Sequence, residues 1–452
     1  MINIHETVAK YASINTCLPP APLSYIRIQN RDEKIVFNPD QHLQSTCDQP
    51  FGATSVFECL VTNYKIIAQG EDIKTVYDFT LTTETVINHK FYPGDTVGIL
   101  TENRGKDVDY IIQHLDLETV CHQVYKVDID PSSKKKAPKI PSHVPQLVEL
   151  RKLFSECLDI NAIPKKLFLR TLVDYTSDAE ENRFLSLLCN KNSTAFDYVI
   201  LKQRIGFLLL LKSLPSCKPP VHVLLEHLPR LMPRPYSIVN CYDENGSNMS
   251  IRIIFSYEDQ SPGLTTSLLK NCGENGGKLF LYFRKSNSFA YTDDDCDKDI
   301  VLIGVGTGIA PYLAFLERRR ELIEQCRNLA GKAWLFAGFR YEKHNYLCRE
   351  ELDQYLKNGA LNNVSVAFSR DENSSYPYVQ NQIEANKEEF VEMLMSANSK
   401  LFACGNGTVM LPQIRSKIVQ ILSEVLCIDD EESNELVDEM RKNSKYVEDV
   451  WL

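Results

Sequence analysis

The chain has 452 residues, of which 43% are hydrophobic and 24% are charged, a composition typical of a globular protein with about three domains. Its 60 acidic residues outnumber its 50 basic residues and give a formal net charge of -10, which argues against nucleic acid as a general partner. The longest apolar run, residues 205–211, is much shorter than the roughly 18 residues that a membrane-spanning helix needs, so we expect no membrane anchor.

The cysteine pattern indicates a reducing compartment. The N-terminal residues lack the basic and apolar regions of a secretory signal, so the 14 cysteines are predicted to be thiols of a cytoplasmic protein. No two cysteines form a Cys-x-x-Cys pair, and the 9 histidines show no ligand spacing near them. We therefore expect no zinc site, no iron–sulfur cluster and no other bound metal.

The first part of the chain predicts a linker-like segment followed by an antiparallel β domain. Residues 1–48 have little periodicity and include a proline-rich stretch that favours extended backbone. Apolar and polar residues alternate over 75–81, and a turn at 92–95 precedes another strand pattern over 96–100. We expect the β domain to begin near residue 49.

A helical insertion interrupts this β domain between about residues 106 and 229. Amphipathic helices are predicted over residues 144–158, 164–173 and 181–188. Strand patterns return at 235–241 and 249–257. The β domain, residues 49–291, is therefore predicted to be discontinuous in sequence.

The remaining residues, 292–452, alternate between strand and helix patterns. Strands are predicted at 300–304, 333–338, 364–368 and 401–404, and helices at 311–325, 349–357, 380–395 and 411–422. This strict alternation predicts a doubly wound parallel sheet. The predicted fold class is therefore α+β and α/β multidomain, with an antiparallel β domain followed by an α/β domain.

A glycine-rich sequence joins the first strand and the first helix of the α/β domain. Residues 304–311 read GVGTGIAP, and glycines in this context let backbone N–H groups approach a pyrophosphate at the start of a helix. A plain tight turn is the alternative interpretation. The second strand ends in Phe339-Arg340 rather than in an acidic residue, which disfavours ordinary recognition of NAD.

Other motifs follow strands or precede helices. Ser369-Arg370 ends the third strand of the α/β domain and suits a 2′-phosphate, and Cys404-Gly405 ends the fourth. The sequence RPYS at 234–237 offers a cation, an aromatic ring and a hydroxyl, and GLTTSLL at 263–269 suits a phosphate at a helix start. Taken singly, each motif also has a structural interpretation: a surface arginine, an inert buried thiol, a surface turn or a helix cap.

The order of these motifs, with Tyr378-Val379-Gln380 and an aromatic residue near the C-terminus, resembles the FAD/NADPH reductase half of the diflavin oxidoreductases. The resemblance extends over residues 50–452. It implies a ferredoxin reductase-like fold, in which the β domain is an FAD-binding barrel and the α/β domain binds NADP. It also implies an enzyme that transfers a hydride from NADPH to FAD.

The resemblance assigns roles to individual residues. It implies catalytic roles at the two reacting rings for Ser237, Cys404, Asp449 and Trp451, of which Trp451 shields the flavin. The residues implied to contact FAD are Arg234, Pro235, Tyr236, Ser237, Ile251, Arg252, Ile253, Tyr257, Gly263, Leu264, Thr265 and Thr266. Those implied around NADPH are Gly306, Thr307, Gly308, Ser369, Arg370, Tyr378, Val379, Gln380, Asn406 and Trp451.

The family's FMN-binding, flavodoxin-like domain has no counterpart in this sequence, since Met1 falls in what resembles the linker after it. We therefore expect FAD but no FMN in this chain, and an FMN-containing, flavodoxin-like domain or protein as its partner in trans. The lysine-rich run at 133–139 either docks such a partner or is a solvated loop.

Two other functions remain open. Pro377, Asn406 and Leu452 depart from the family's pattern and favour a descendant that keeps the fold as a binding module without catalysis. The second alternative is the reductase half of a cytochrome reductase.

Overall fold

The computed structural model describes residues 2–30, 38, 40–243, 249–285, 288–325, 331–372 and 374–451. The chain divides into two compact units, each made of two separate segments. Unit 1 comprises Met1–Pro50 and Leu100–Arg234, and unit 2 comprises Phe51–Ile99 and Pro235–Leu452. The predicted domains 1–48, 49–291 and 292–452 divide the chain differently, and they stay a prediction.

Strands and helices occur in both units. In chain order the strands are β1 Ile26–Asn30, β2 Phe57–Gly70, β3 Ile73–Thr83, β4 Thr96–Ile99, β5 Val124–Ile129, β6 Leu147–Glu149, β7 Arg234–Ser237, β8 Met249–Tyr257, β9 Lys278–Phe283, β10 Asp299–Val305, β11 Ala333–Phe339, β12 Asn363–Phe368, β13 Ser399–Asn406 and β14 Tyr446–Trp451. The α-helices are α1 Ile4–Lys10, α2 Gly105–His114, α3 Leu150–Lys152, α4 Lys166–Val173, α5 Ala179–Cys189, α6 Phe207–Lys212, α7 Val221–His227, α8 Leu264–Asn275, α9 Ala310–Glu324, α10 Glu342–Asn345, α11 Arg349–Asn358, α12 Val379–Ala385, α13 Lys387–Met395, α14 Met410–Leu426 and α15 Asp430–Lys442.

Unit 1 is mainly helical and contains a small antiparallel sheet of order β1-β5-β6. Apolar side chains from the helices, among them Phe154, Phe168 and Leu185, form its core. The segment predicted to be linker-like contributes α1 and β1. It is ordered because Asn3 caps α1 by accepting a hydrogen bond from the N–H of Glu6, and β1 pairs along its length with β5.

The single helix predicted over residues 144–158 is wrong. Leu147–Glu149 forms β6, which pairs with β5, and Leu153–Cys157 forms a π-helical turn. A strand of three residues is too short to show a period of two, so the apolar residues of both elements together resemble one helix.

A buried carboxyl group lies in that π-helical turn. Glu156 is 5% exposed, accepts the backbone N–H of Leu43 at 2.5 Å and pairs with Lys152 at 3.3 Å. His42 Nδ1 lies 3.8 Å away. Desolvation outweighs these partners and raises the pKa of Glu156 to about 7. The charged form therefore destabilises the fold, and this penalty is absent at low pH.

We expect Glu156→Gln to stabilise unit 1 in a pH-dependent manner. The raised pKa means that the wild-type chain loses stability as the pH rises from about 4.5 to about 7, by about 3 kcal/mol in total. Glutamine keeps the acceptor for Leu43 and carries no charge, so its advantage should grow over that interval. Denaturant unfolding followed by circular dichroism at several pH values measures this. The same change at the exposed Glu118 is the control, and a pH-independent difference for Glu156→Gln would contradict the assignment.

The first sheet of unit 2 has six strands in the order β7-β4-β9-β2-β3-β8. The pairs β2–β3, β3–β8, β2–β9 and β4–β9 are antiparallel. Alternate side chains of these strands, including Phe79, Leu81 and Ile253, point into one apolar core. The expected antiparallel β domain, interrupted by an insertion, is therefore present.

The second sheet of unit 2 is parallel and has the order β12-β11-β10-β13-β14. Successive residues of β10 belong to different cores: Ile300 and Leu302 pack in one, and Val301 and Ile303 in the other. Helices thus cover both faces, as in a doubly wound fold. The predicted fold class is confirmed. Within the described ranges, none of the helices has the length and hydropathy needed to cross a bilayer.

Candidate functional site

The glycine-rich turn connects β10 to α9 at the carboxyl end of the parallel sheet. Gly306 has φ +58°, a conformation that glycine adopts without strain, and a Cβ atom there would meet no atom within 4 Å. At Gly308, by contrast, a Cβ atom would lie 2.6 Å from the backbone oxygen of Cys404. The turn therefore has open space over Gly306 at the start of a 15-residue helix, which suits the pyrophosphate of a dinucleotide. Thr307 lies between these two glycines and is half-buried.

Three of the predicted catalytic residues meet at one carboxyl group. Cys404, near the end of β13, donates from Sγ to Oδ2 of Asp449 on β14 at 3.6 Å. Ser237, the last residue of β7, also hydrogen-bonds to this carboxyl. A hydroxyl from the antiparallel sheet and a thiol from the parallel sheet thus share one acid.

Burial controls the titration of this group of residues. It raises the pKa of Asp449, an effect that the hydrogen bond from Cys404 and the charge of Arg284 oppose. It also raises the pKa of the Cys404 thiol well above its usual range, and the adjacent carboxylate adds to the shift. Cys404 is therefore a neutral hydrogen-bond donor rather than a thiolate nucleophile.

Trp451 lies beside the glycine-rich turn. It pairs with Asn406 in the β13–β14 ladder and its side chain is 39% exposed. A Cβ atom on Gly308 would lie 3.0 Å from Cη2 of the indole. The ring is thus close to both the turn and the Cys404 backbone. Leu452 lies outside the described residues.

The predicted FAD motif on β7 is open to ligands. Arg234 and Pro235 are exposed, and the half-buried ring of Tyr236 packs edge-on against Phe255 at 6.1 Å. Tyr257 is half-buried, with the Lys270 ammonium 4.5 Å from its ring centroid. Aromatic rings with one accessible face can stack on the rings of a dinucleotide.

Other predicted FAD residues have structural contacts in their own sheet. Ile251 and Ile253 are fully buried, which leaves only their backbone for a ligand. Arg252 forms hydrogen bonds with both oxygens of Asp78, at 2.8 and 2.7 Å, and with Glu351 at 2.7 Å. Its guanidinium group would have to leave these carboxylates to reach a phosphate.

The sequence GLTTSLL lies at the start of α8, as predicted. Gly263 is the N-cap, and its carbonyl oxygen accepts hydrogen bonds from Thr266 Oγ1 at 3.2 Å and Ser267 Oγ at 2.7 Å. Thr265 is buried and Leu264 half-buried. A helix of 12 residues beginning in this way can accept a phosphate at its N-terminus.

The predicted NADPH residues at the ends of the third and fourth strands are held by local contacts. Ser369 Oγ donates to the Phe339 carbonyl at 3.3 Å, and Arg370 pairs with Asp72. Tyr378 is 60% exposed and caps α12. Its neighbour Val379 is buried, and Gln380 contacts Gln413 at 3.3 Å.

Asn406 organises the loop after β13. Its Oδ1 accepts hydrogen bonds from Thr408 N at 3.0 Å, Thr408 Oγ1 at 2.7 Å and Val409 N at 3.0 Å. An asparagine therefore supports this loop without charge.

Sequence reasoning missed several residues of the site. Arg284 acts on the Asp449 carboxyl through its charge, and Tyr312 donates to the carbonyls of Ile303 and Phe402, which joins β10 to β13 beside Cys404. Asp72 pairs with Arg370 and accepts a hydrogen bond from Tyr341. No motif in the sequence marks these residues. The described residues contain no group of three or more acidic, histidine or cysteine side chains able to hold a metal ion.

Comparison with known proteins identifies the family. Residues 49–263 match the FAD binding domain family, and residues 302–415 match the oxidoreductase NAD-binding domain family. Methionine synthase reductase of Mus musculus is 31% identical over 99% of this chain and 67% of that protein. The chain belongs to the methionine synthase reductase family. The two matched families are an FAD-binding domain and the NAD-binding domain of oxidoreductases, as the resemblance implied.

Other relatives agree with this assignment. The Homo sapiens methionine synthase reductase is 31% identical over 97% of the chain, which spans 66% of that protein's length, or about two thirds. NADPH–cytochrome P450 reductase of Dictyostelium discoideum is 31% identical over 79% of the chain and 53% of that protein. The sequences AIPKK at 162–166 and TLVDYTSD at 171–178 predict the methionine synthase reductase member of the diflavin oxidoreductases, and this prediction is confirmed.

Proposed function

We propose that this chain is a FAD-dependent NADPH reductase that passes electrons to an FMN-containing, flavodoxin-like domain or protein. Its final role would be the reductive reactivation of cobalamin-dependent methionine synthase, in the cytoplasm. Methionine synthase as the final electron acceptor is supported by the similarity of this chain to proteins named methionine synthase reductase. The lysine-rich run at 133–139 offers positive charge for the acidic carrier.

The observation that carries this proposal is that the side chains of Ser237 and Cys404 both contact the half-buried carboxyl group of Asp449. When bound, FAD would supply a ring that accepts a hydride and releases electrons singly. The half-buried ring of Tyr236 and the start of α8 would hold it. The open turn at Gly306 and the guanidinium of Arg370 would hold the nucleotide.

The residues of this group have distinct roles in the proposal. The Asp449 carboxylate stabilises the positive charge that the nicotinamide ring acquires as it loses a hydride. The neutral Cys404 thiol and the Ser237 hydroxyl donate to that carboxylate and fix its position. With FAD bound, Trp451 would cover its reacting ring until nicotinamide took that place, and the indole would exclude water between turnovers.

Flavin analysis of the purified chain tests the proposal. We expect bound FAD without FMN, detected by chromatography of the flavin released on denaturation, and loss of flavin absorbance when NADPH is added anaerobically. FMN in the released pool would contradict the proposed division of labour. A chain that takes up no FAD on reconstitution, or whose flavin NADPH does not reduce, is the binding module of the alternative hypothesis.

A further inference from the structure

The hairpin between β2 and β3 places an acidic side chain on the nucleotide-binding sheet. Asp72 lies at the tip of this hairpin, where Gly70 pairs with Ile73. Its carboxylate accepts a hydrogen bond from Tyr341 Oη at 2.7 Å and another from Arg370 Nη1. Its backbone oxygen accepts from Arg340 Nη1 and, at 3.3 Å, from Arg370 Nη1. Two guanidinium groups and a phenol thus converge on one residue.

The two arginines occupy the edge of the sheet where nucleotides bind. Arg340 directly follows β11, and Arg370 follows β12 by two residues. These strands are parallel neighbours, so both side chains start from the same carboxyl edge. In dinucleotide-binding sheets an acid at the end of the second strand binds the ribose of NAD, whereas an arginine there accommodates the 2′-phosphate of NADP.

The contacts made by Asp72 are those that a phosphate would make. A 2′-phosphate is an anion that accepts hydrogen bonds from guanidinium and hydroxyl groups. Asp72 and Arg370 are both 43% exposed at the side chain, so solvent and ligands reach the pair. The hydrogen bonds from Tyr341 and Arg370 hold the pKa of Asp72 below its usual range, so the residue is charged at neutral pH.

We propose that Asp72 is a specificity-determining residue that competes, as an internal anion, with the 2′-phosphate of the nucleotide for Arg370, Arg340 and Tyr341. The proposal rests on the proposed NADPH site. A ligand with this phosphate must displace the Asp72 carboxylate, whereas a ligand without it leaves the cluster intact. Asp72 therefore weakens the binding of nucleotides that carry a 2′-phosphate. As a result, it reduces the preference for NADPH over NADH.

Binding of 2′,5′-ADP and 5′-AMP to the full chain tests this without any redox step. We expect Asp72→Asn to bind 2′,5′-ADP about two- to fivefold more tightly than the wild-type chain, because an exposed ion pair no longer has to be broken. Its affinity for 5′-AMP should not change. Calorimetric titration measures both, and the gain should shrink as salt is added.

Two further variants separate the possible outcomes. Glu71→Gln removes the same charge from the neighbouring position of the hairpin and should leave both affinities unchanged. Arg370→Ala should lose most of the preference for 2′,5′-ADP, and the double variant with Asp72→Asn should gain little. Should Asp72→Asn not fold, as judged by circular dichroism, Asp72→Ser takes its place in the same titrations.

The outcomes distinguish this inference from the proposed function. If the wild-type chain binds 2′,5′-ADP no better than 5′-AMP, the proposed NADPH site is wrong and the inference falls with it. If the wild-type chain prefers 2′,5′-ADP, but the affinity of Asp72→Asn for this ligand equals that of Glu71→Gln or is lower than that of the wild type, only the role of Asp72 is overturned.

Discussion

We expect Asp449→Asn to slow hydride transfer from NADPH by about a hundredfold, with little change in NADPH affinity. The carboxylate lies where Cys404 and Ser237 donate to it, and burial makes its charge effective. Asparagine has the same shape but no charge to balance the developing positive charge on nicotinamide. Anaerobic stopped-flow measurement of flavin absorbance gives the rate.

The pH dependence of the same rate adds a second readout. Because burial raises the pKa of Asp449, the wild-type rate should fall on acidification at a higher pH than an ordinary aspartate would cause, as the carboxyl takes up a proton. The variant should lack this decrease. Glu448→Gln is the matched control, since Glu448 is the preceding residue on β14 and pairs with Arg415 at 3.0 Å and with Arg441 at 3.2 Å. An unchanged rate in Asp449→Asn would remove this residue from the chemistry.

Trp451→Ala should change the nucleotide preference. The indole lies against Gly308 and is 39% exposed, so it can move aside at a limited energetic cost. In the proposed mechanism, both NADPH and NADH must displace the indole, at the same cost in free energy. NADH lacks the contacts of the 2′-phosphate and binds more weakly, so this cost reduces its turnover more. Without the ring, oxidised nucleotide should bind more tightly, and NADH should improve relative to NADPH by about tenfold.

Steady-state turnover with ferricyanide, with each nucleotide in turn, measures this change in preference. Inhibition by NADP measures the affinity for oxidised nucleotide. Tyr64→Ala is the control, since Tyr64 is an aromatic residue on β2 that is 40% exposed. If both the preference and the NADP affinity stay at their wild-type values, Trp451 does not cover the flavin.

Much of unit 2 could be predicted because its sequence carries strong local signals. The strands of the parallel sheet are short apolar runs, and those near residues 300, 333 and 401 were all placed within two residues of their observed starts. The glycine-rich turn was recognised because strand and helix patterns flank it. By contrast, β14 had no such signal: Tyr446–Trp451 includes acidic residues and lies at the sheet edge, where burial no longer dictates an apolar sequence.

The parts of the site that escaped prediction depend on contacts between distant segments. Nothing local to Asp72 indicates that Arg370 lies beside it, since the two residues meet only after both sheets have formed. Arg284 is similar, because its effect on Asp449 comes from the three-dimensional fold. Arg252 shows the opposite case: its position beside the FAD motif is compatible with a ligand, but Asp78 and Glu351 already satisfy its guanidinium group.

The interruption of unit 2 has a consequence for how the protein folds. In the antiparallel sheet β4 neighbours β7, although residues 100–233 separate them in sequence. Closing a loop of this length in an unfolded chain costs about 4 kcal/mol of entropy, which slows the pairing of distant strands. If Leu100–Arg234 folds first, its two ends are already held in place. The entropy of loop closure is then lost before the sheet forms. Mutations in the apolar core of unit 1 would then delay the assembly of unit 2 without touching any residue implied to contact FAD or NADPH.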